Sequence, residues 1–426
     1  MRNPVQHYDW GSPTAFADRF GWTADGRPQA ELWMGAHPTA PSSVVPSGAA
    51  GEPVPLDRLF AARPELLGPS ADQAELPFLL KVLAAASPLS IQTHPTAARA
   101  AAGFDAEEAA GVPVDAPQRM YRDRHHKPEL LLALEDFTAL CGFRPVDQSA
   151  SDLKTLARRL TEHGHTDAAA ALGRLAESLS RASDGEPDDA LDRALRTVLQ
   201  DDRDAFAAAS ASLAEVVGPT EPGLTPGSAD TILRACAAFP RDPGVVVALL
   251  LNRVVLSPGQ ALYLPAGNLH SYLHGVGVEV MASSDNVLRG GLTAKHVDVE
   301  ELVDVTDCAV LPVPRCTPVQ VDAGPVSRWS YRPDCPEFRL DRFDAPDDGE
   351  GGTARLASDR ASVLLCTAGT VELHGDGGSS TGSGTVVLAP GESALITAGP
   401  GGVTARFQPG TQAFLAQSGR KGQRRV

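Results

Sequence analysis

Four residues in the second half of the chain keep a spacing that could present a metal ligand: Gly259, Pro265, Gly267 and His270, written G-x5-P-x-G-x2-H. Glycine and proline at these places favour a tight turn between strands, with the imidazole delivered to one side. Alone, such a histidine reads better as a hydrogen-bonded core residue. Two further segments give it company. Gln92-Thr93-His94 sets two coordinating side chains at i and i+2, which share one face of a strand. In His126-Lys127-Pro128-Glu129 the proline breaks any helix, and Glu129 opens the apolar strand Leu130 to Leu134. Gln92, His94, Glu129 and His270 would form a nitrogen and oxygen set suited to Zn²⁺, with Mn²⁺, Co²⁺ and Fe²⁺ also compatible with these ligand types. Only Glu129 is anionic, so a divalent ion would keep about one unit of positive charge and act more strongly as a Lewis acid toward a hydroxyl or carbonyl oxygen.

The charge balance limits what such a centre could act on. A net charge of −16 argues against nucleic acid or an anionic membrane as partner, because either demands a broad basic surface. A small anionic substrate would need a local cluster of cations, and the chain has only five lysines. Lys81, Lys127 and Lys295 fall in the segments singled out on other grounds, whereas Lys154 and Lys421 do not.

The elements that must position these residues have three textures. A chain of 426 residues exceeds what one core usually supports, so two or three packed units are expected. Up to about residue 145, short apolar runs with Pro and Gly punctuation read as strands, loops and a few helices. From about 150 to 240, Leu153, Leu156 and Leu160, then Leu172, Leu175 and Leu179, then Leu191, Leu195, Val198 and Leu199 follow helical spacing. After Pro243, the run VVVALLLNRVVL returns to strand-like character, which continues to a basic tail, GRKGQRRV, expected to be a solvated end. The six cysteines, Cys141, Cys236, Cys308, Cys316, Cys335 and Cys366, show no C-x-x-C pair and read as reduced core residues. The N-terminus turns polar before an apolar signal core could form, and no apolar run approaches the roughly eighteen residues of a membrane span, so a cytoplasmic location is expected.

The turn segment also recurs. LSPGQALYLPAGNLH from Leu256 aligns without gaps with LAPGESALITAGPGG from Leu388, 132 residues on. Two related β-domains are implied, and the second carries Thr397 in place of Pro265 and Gly402 in place of His270. It therefore offers no equivalent ligand, and its expected role is structural.

The G-x5-P-x-G-x2-H run resembles the second signature of cupin barrels, and Gln92-x-His94 stands where other cupins have an H-x-H pair. YDWGS (Tyr8 to Ser12), AELWMGAHPTAPS (Ala30 to Ser42), LPFLLKVLAAASPLSIQTHP (Leu76 to Pro95), HKPEL (His126 to Leu130), LPAGNLHSYL (Leu264 to Leu273) and SSDNVLRGGLTAKHVDV (Ser283 to Val299) together resemble the ordered motifs of type I phosphomannose isomerases. The likeness covers roughly residues 1 to 310. It implies a mainly β protein with an α-helical insertion, built of two cupin-type jelly-roll β-domains plus a helical domain. The expected divisions are 1–148 and 244–315 for the catalytic cupin domain, 149–243 for the helical insertion, and 316–426 for a degenerate cupin domain.

The resemblance implies that Gln92, His94, Glu129 and His270 hold one Zn²⁺ per chain. It further implies that Arg289 is the catalytic arginine and that Trp10, Lys127, Tyr272, Glu279 and Asp285 line the same pocket. Ser90, Lys81 and Lys295 become the phosphate end. The activity implied is interconversion of mannose 6-phosphate and fructose 6-phosphate by a monomer whose partner is the sugar phosphate. Such an isomerisation moves a proton between C2 and C1 through an enediolate, and Glu279, Asp285, Lys127 or a metal-bound water are the candidate bases. The residues before HKPE read Asp123-Arg124-His125 where the family favours Asp-x-Asn, and the usual terminal Asn of the cupin signature is His274. Read from the residues alone, Glu279 on its alternating strand could face either the barrel interior or solvent, Asp285 could be a turn former, and Trp33 is packing. Two other functions fit a cupin site: a metal-dependent oxygenase, which would consume oxygen, and a non-catalytic sugar-binding cupin, which would be expected to have lost a ligand or the arginine. This chain retains all of them.

Overall fold

The computed structural model describes residues 1–45, 52–68, 75–182, 187–375 and 385–419, so the basic tail from residue 420 onward lies outside the described residues. One strand organises the first β region. His270–Ala282 is 13 residues long and is hydrogen-bonded to four others. Its first part, His270 to His274, pairs with Gln92–Thr93 and Phe137–Phe143. From Gly275 onward it pairs with Phe78–Ala85 and Glu129–Ala133. The strand thus leaves one set of neighbours and joins another, and the corner is at Gly275, where φ is +124°. A Cβ there would lie 2.8 Å from the Phe137 ring and 2.9 Å from the Asp136 carbonyl oxygen, so only glycine fits the bend.

Around this strand a ten-stranded sheet also takes in Val5–Gln6, Glu31–Met34, Leu251–Leu256, Ala261–Leu264 and Leu288–Arg289. Alternation explains why Phe78–Ala85 reads as an unbroken apolar run although it is a strand. Phe78, Leu80, Val82 and Ala84 face a core completed by Tyr331, Phe338, Leu340, Val363 and Phe414 of the C-terminal region. The alternate residues Leu79, Lys81, Leu83 and Ala85 face the other way, toward Trp33, Met281 and Tyr272. Both faces are covered, and all eight residues are buried.

The expected helical stretch forms Val146–Glu162, Thr166–Ala182, Pro187–Arg196, Arg203–Val216 and Ser228–Ala238. Its leucines at the predicted positions are buried, and they share a core with Ile91, Leu140, Leu269, Leu273 and Leu288. The helices therefore back the half of the sheet that carries Gln92 and His270. The run after Pro243 departs from expectation, because Gly244–Ala248 is a short helix and the strand starts only at Leu251. Pro243 sets the first turn, the Asp242 carboxylate accepts from the Gly244 N–H at 2.7 Å, and full burial of Val245, Val246 and Val247 outweighs their β preference.

Beyond residue 315, a six-stranded and a four-stranded sheet enclose a second core that includes Phe343, Leu364, Val371, Leu388 and Phe407. The repeat read from the sequence is a repeat in space. In the first copy Gln260 N–H donates to Ser257 O at 2.9 Å, and in the second Glu392 N–H donates to Ala389 O at 3.0 Å. The side chains of Gln260 and Glu392 each accept from the first residue of their turn, and Gly259 and Gly391 have φ of +85° and +83°. Among the cysteines, Cys141, Cys236, Cys335 and Cys366 are buried while Cys308 and Cys316 are half-buried, and none of the six forms a disulfide. Among the described residues, no helix is long and apolar enough to cross a membrane.

Where the helices meet the sheet, Arg144 Nη1 donates to Asp152 Oδ2 at 2.9 Å, with Ser228 and Thr225 completing the carboxylate's bonds. Both charges are buried. Asp152→Ala would strand the guanidinium and should cost about 3–5 kcal/mol, read as a lowered urea midpoint. A loss below about 1 kcal/mol would show that the pair does not tie these elements together.

Candidate active site

Strand register assembles the ligands before any metal is considered. Gln92 is opposite His270 on one side and opposite Arg289 on the other, so three adjacent strands set His270, Gln92 and Arg289 in one row. Glu129 is opposite Met281, two residues beyond Glu279 on the same strand. His94, Glu129 and His270 offer ligand atoms that all lie within 4.8 Å of one another.

Hydrogen bonds then fix how the imidazoles point. His94 Nδ1–H donates to the Asn286 carbonyl at 2.8 Å, and His270 Nδ1–H donates to the Asn268 carbonyl at 2.9 Å. Each ring therefore turns an unprotonated Nε2 inward, 3.3 Å from Glu129 Oε1 and Oε2 respectively. Burial lowers the His94 pKa to about 4 despite the Glu129 charge, so this ring is neutral near pH 7. Two lone pairs aimed at a carboxylate repel unless a cation sits between them. His94 Nε2 and Glu129 Oε2 are buried without a hydrogen-bond partner, which is the condition a bound divalent ion relieves. Gln92 Nε2 is 3.4 Å from His270 Nε2, and an end-for-end turn of the amide would bring its oxygen there as a fourth donor. Burial pushes the Glu129 carboxyl up, but the Lys127 ammonium, 3.2 Å from Oε1, works against it, and the group is held well below the usual range.

Beside this centre runs a buried charged row. Pairing sets Trp33 opposite Lys81 and Lys81 opposite Glu279, so their side chains share one face. Lys81 Nζ lies 3.3 Å from Glu279 Oε2 and 3.4 Å from Glu31 Oε1. Tyr272 O–H donates to Glu279 Oε1 at 2.8 Å, and the Trp33 indole N–H donates to Glu31 Oε2 at 2.7 Å. Glu279 faces the interior, and burial, together with Glu129 and Glu31, raises its pKa against the pull of Lys81. Lys81 keeps its proton, because its carboxylate neighbours overcome the cost of burial.

The other end of the pocket is positive. Arg289 and Lys295 have their pKa values lowered by burial and then by neighbouring cations, with Arg122 acting on both and Arg289 also on Lys295. Lys81 and Lys295, paired in expectation as a phosphate end, are not brought together in this way: the charges around Lys81 are the carboxylates of Glu31, Glu279 and Glu129. Asp285 is held by its backbone N–H on Asp123 Oδ2 at 2.8 Å and by His37 Nε2, 3.5 Å from Oδ1. Trp10 stacks on Tyr8 with centroids 5.7 Å apart and packs against the cluster that holds Tyr272. Ser90 is half-buried at the start of the Gln92–Thr93 strand.

Sequence reasoning missed Glu31, His37, Arg122 and Asn286. Glu31 carried a signal, as a carboxylate two residues before Trp33 in an otherwise apolar strand. Asn286 carried none, although its amide accepts from the Arg122 and Asp123 N–H groups while its carbonyl orients His94.

Residues 1–146 match the model of the phosphomannose isomerase type I catalytic domain. Mannose-6-phosphate isomerase of Shigella flexneri is 36% identical over 408 residues, covering 95% of this chain and 96% of that protein. The human enzyme of the same name is 30% identical over 400 residues, with 86% of each chain covered. The crystal structure of Salmonella typhimurium mannose 6-phosphate isomerase bound to fructose 6-phosphate and zinc superposes with a TM-score of 0.81 at 32% identity, covering 98% of both chains.

If the ligand geometry is as described, a His270→Ala protein should fold and lose most of its bound divalent metal by elemental analysis. Full metal occupancy in that variant would overturn the assignment of the centre.

Proposed function

The chain belongs to the type I phosphomannose isomerase family, and from that premise we infer that it is a zinc-dependent aldose–ketose isomerase acting on mannose 6-phosphate and fructose 6-phosphate. The observation that carries this reading is the His94, Glu129 and His270 cluster, whose inward nitrogen and carboxylate oxygen lack partners, set between a buried acid–base row and a cationic pole. Gln92, His94, Glu129 and His270 would hold Zn²⁺, which supplies a Lewis acid for the substrate's oxygens.

The remaining work falls to the chain's own side chains. Glu279 is assigned the proton transfer between C2 and C1, supported by a pKa raised from the usual carboxylate range. Tyr272 and Lys81 orient its two oxygens. Lys127 stays beside Glu129 and keeps that carboxyl ionised. Asp285, braced by His37 and Asp123, is the second carboxylate of the pocket and is suited to handle a hydroxyl proton. Arg289, expected from the resemblance as the catalytic arginine, is grouped here with Lys295 and Arg122 as the phosphate end, the region where the charges that perturb one another are all positive. Lys81 belongs to the acid–base end instead. Trp10 and Ser90 are assigned to the pocket wall.

The same reading extends to architecture. The two β regions are taken as cupin-type jelly rolls related by duplication, with the helices inserted into the first and the second lacking a ligand at Gly402. This predicts one zinc per chain.

The decisive assay couples fructose 6-phosphate formation to a dehydrogenase and follows oxygen in parallel; oxygen consumption without isomerisation would favour an oxygenase. Lys295→Met should lower kcat/KM for mannose 6-phosphate about tenfold or more. Bound zinc should be unchanged, and any activity on unphosphorylated mannose should be nearly unaffected. Equal loss on both sugars would move Lys295 from the phosphate end to the chemistry at C1 and C2.

A further inference from the structure

One member of the buried row has no part in the chemistry assigned so far. Glu31 is 6% exposed and stands opposite Leu83, a position where an apolar residue would pack without cost. Lys81 would be neutralised by Glu279 alone. A second carboxylate leaves the row with an extra negative charge in a dry environment, an arrangement that stability by itself does not call for.

The distances suggest what the extra charge does. A lone ammonium–carboxylate pair settles at about 2.7–2.9 Å. Here Lys81 Nζ stands 3.4 Å from Glu31 and 3.3 Å from Glu279, shared nearly evenly between them. Glu31 cannot swing in to close its gap, because its other oxygen is fixed by the Trp33 indole at 2.7 Å. Trp33 also lies under Lys81, 5.2 Å from the ring centroid to Nζ, and so sets the height of the ammonium as well as the place of Glu31.

We propose that Glu31, anchored by Trp33, is a positioning residue that holds the Lys81 ammonium partly away from Glu279, so that Glu279 keeps an oxygen able to accept the substrate proton. This rests on the reading of Lys81 and Glu279 as the acid–base pair. Glu31 touches neither the metal ligands nor the cationic pole, so it should act on turnover and leave substrate affinity unchanged.

Four variants measured for kcat, KM and zinc content test it: Glu31→Gln, Glu31→Asp, Lys81→Met and the double Glu31→Gln/Lys81→Met. Gln keeps the size and an oxygen for Trp33 but removes the charge. Glu31→Gln should lower kcat about tenfold with KM within about twofold of wild type and zinc unchanged, and Glu31→Asp, which keeps the charge, should recover part of the rate. The double variant should be no slower than Lys81→Met alone, because Glu31 acts through that lysine. Wild-type kcat in Glu31→Gln beside an impaired Lys81→Met would overturn the positioning role while leaving the acid–base reading intact. Wild-type kcat in Lys81→Met would instead remove the acid–base reading, and the inference with it. Additive losses in the double variant, or equal losses in Gln and Asp, would also overturn it. Should Glu31→Gln fail to fold, Trp33→Phe decides the matter: it removes the indole donor but keeps an aromatic face, and it should lower kcat with KM and zinc retained.

Discussion

Everything in this molecule that could do chemistry hangs on one strand changing its neighbours. His270–Ala282 begins between the strands of Gln92 and Cys141 and ends between those of Lys81 and Leu131. Its first half delivers His270 and Tyr272, and its second half delivers Glu279. Two separate strands could carry the same side chains, but they would need two loops to keep the candidate metal cluster and the buried charged row in register. Here a covalent backbone does so, and the bend at Gly275 sets the angle between them.

That economy forces charges into a dry interior. Lys81, Glu31, Glu279, Glu129 and Lys127 are all buried, each within reach of an opposite charge. Burial strengthens these pairings and also makes a missing partner costly, so the group behaves as a unit. The apolar surroundings serve this electrostatic purpose. Phe78, Leu80, Val82 and Ala84 on the far face of Phe78–Ala85 pack against the C-terminal region, which explains how a β unit without ligands can still contribute: it dries and stiffens the sheet on which Lys81 stands. His126, three residues before Glu129, adds a direct tie through a 2.7 Å contact with Glu337 of that region.

Much of this was legible in the residues. The i, i+2 spacing of Gln92 and His94, the proline before Glu129 and the turn residues before His270 each encode a local geometry, and local geometry is what a sequence states most directly. The repeat at Leu256 and Leu388 was legible for the same reason, since Pro-Gly makes the same turn in both copies. Register was not legible. That Trp33, Lys81 and Glu279 form a row depends on the pairing of three strands far apart in sequence, and so the bond from Trp33 to Glu31 went unread and Lys81 was grouped with Lys295. Asn286 and Arg122 were hidden likewise, because their roles exist only once the loop at Asp123 folds against the loop at Ser284. The helix at Gly244–Ala248 was missed where three β-branched residues were outvoted by a proline, the bond from the Gly244 N–H to the Asp242 carboxylate and complete burial.

The order in which the ligands occur along the chain bears on how the centre comes into being. Gln92, His94 and Glu129 leave the ribosome long before His270, and the helices from Val146–Glu162 to Ser228–Ala238 are made in between. The last ligand arrives on a strand that must insert between partners already synthesised, a step dominated by contacts of long sequence separation and hence intrinsically slow. A nascent chain therefore displays three of the four proposed metal donors for much of translation without the fourth. Selective loading waits for the insertion of that strand, and until then an early metal meets an open, incomplete site in which geometry exerts little choice between ions.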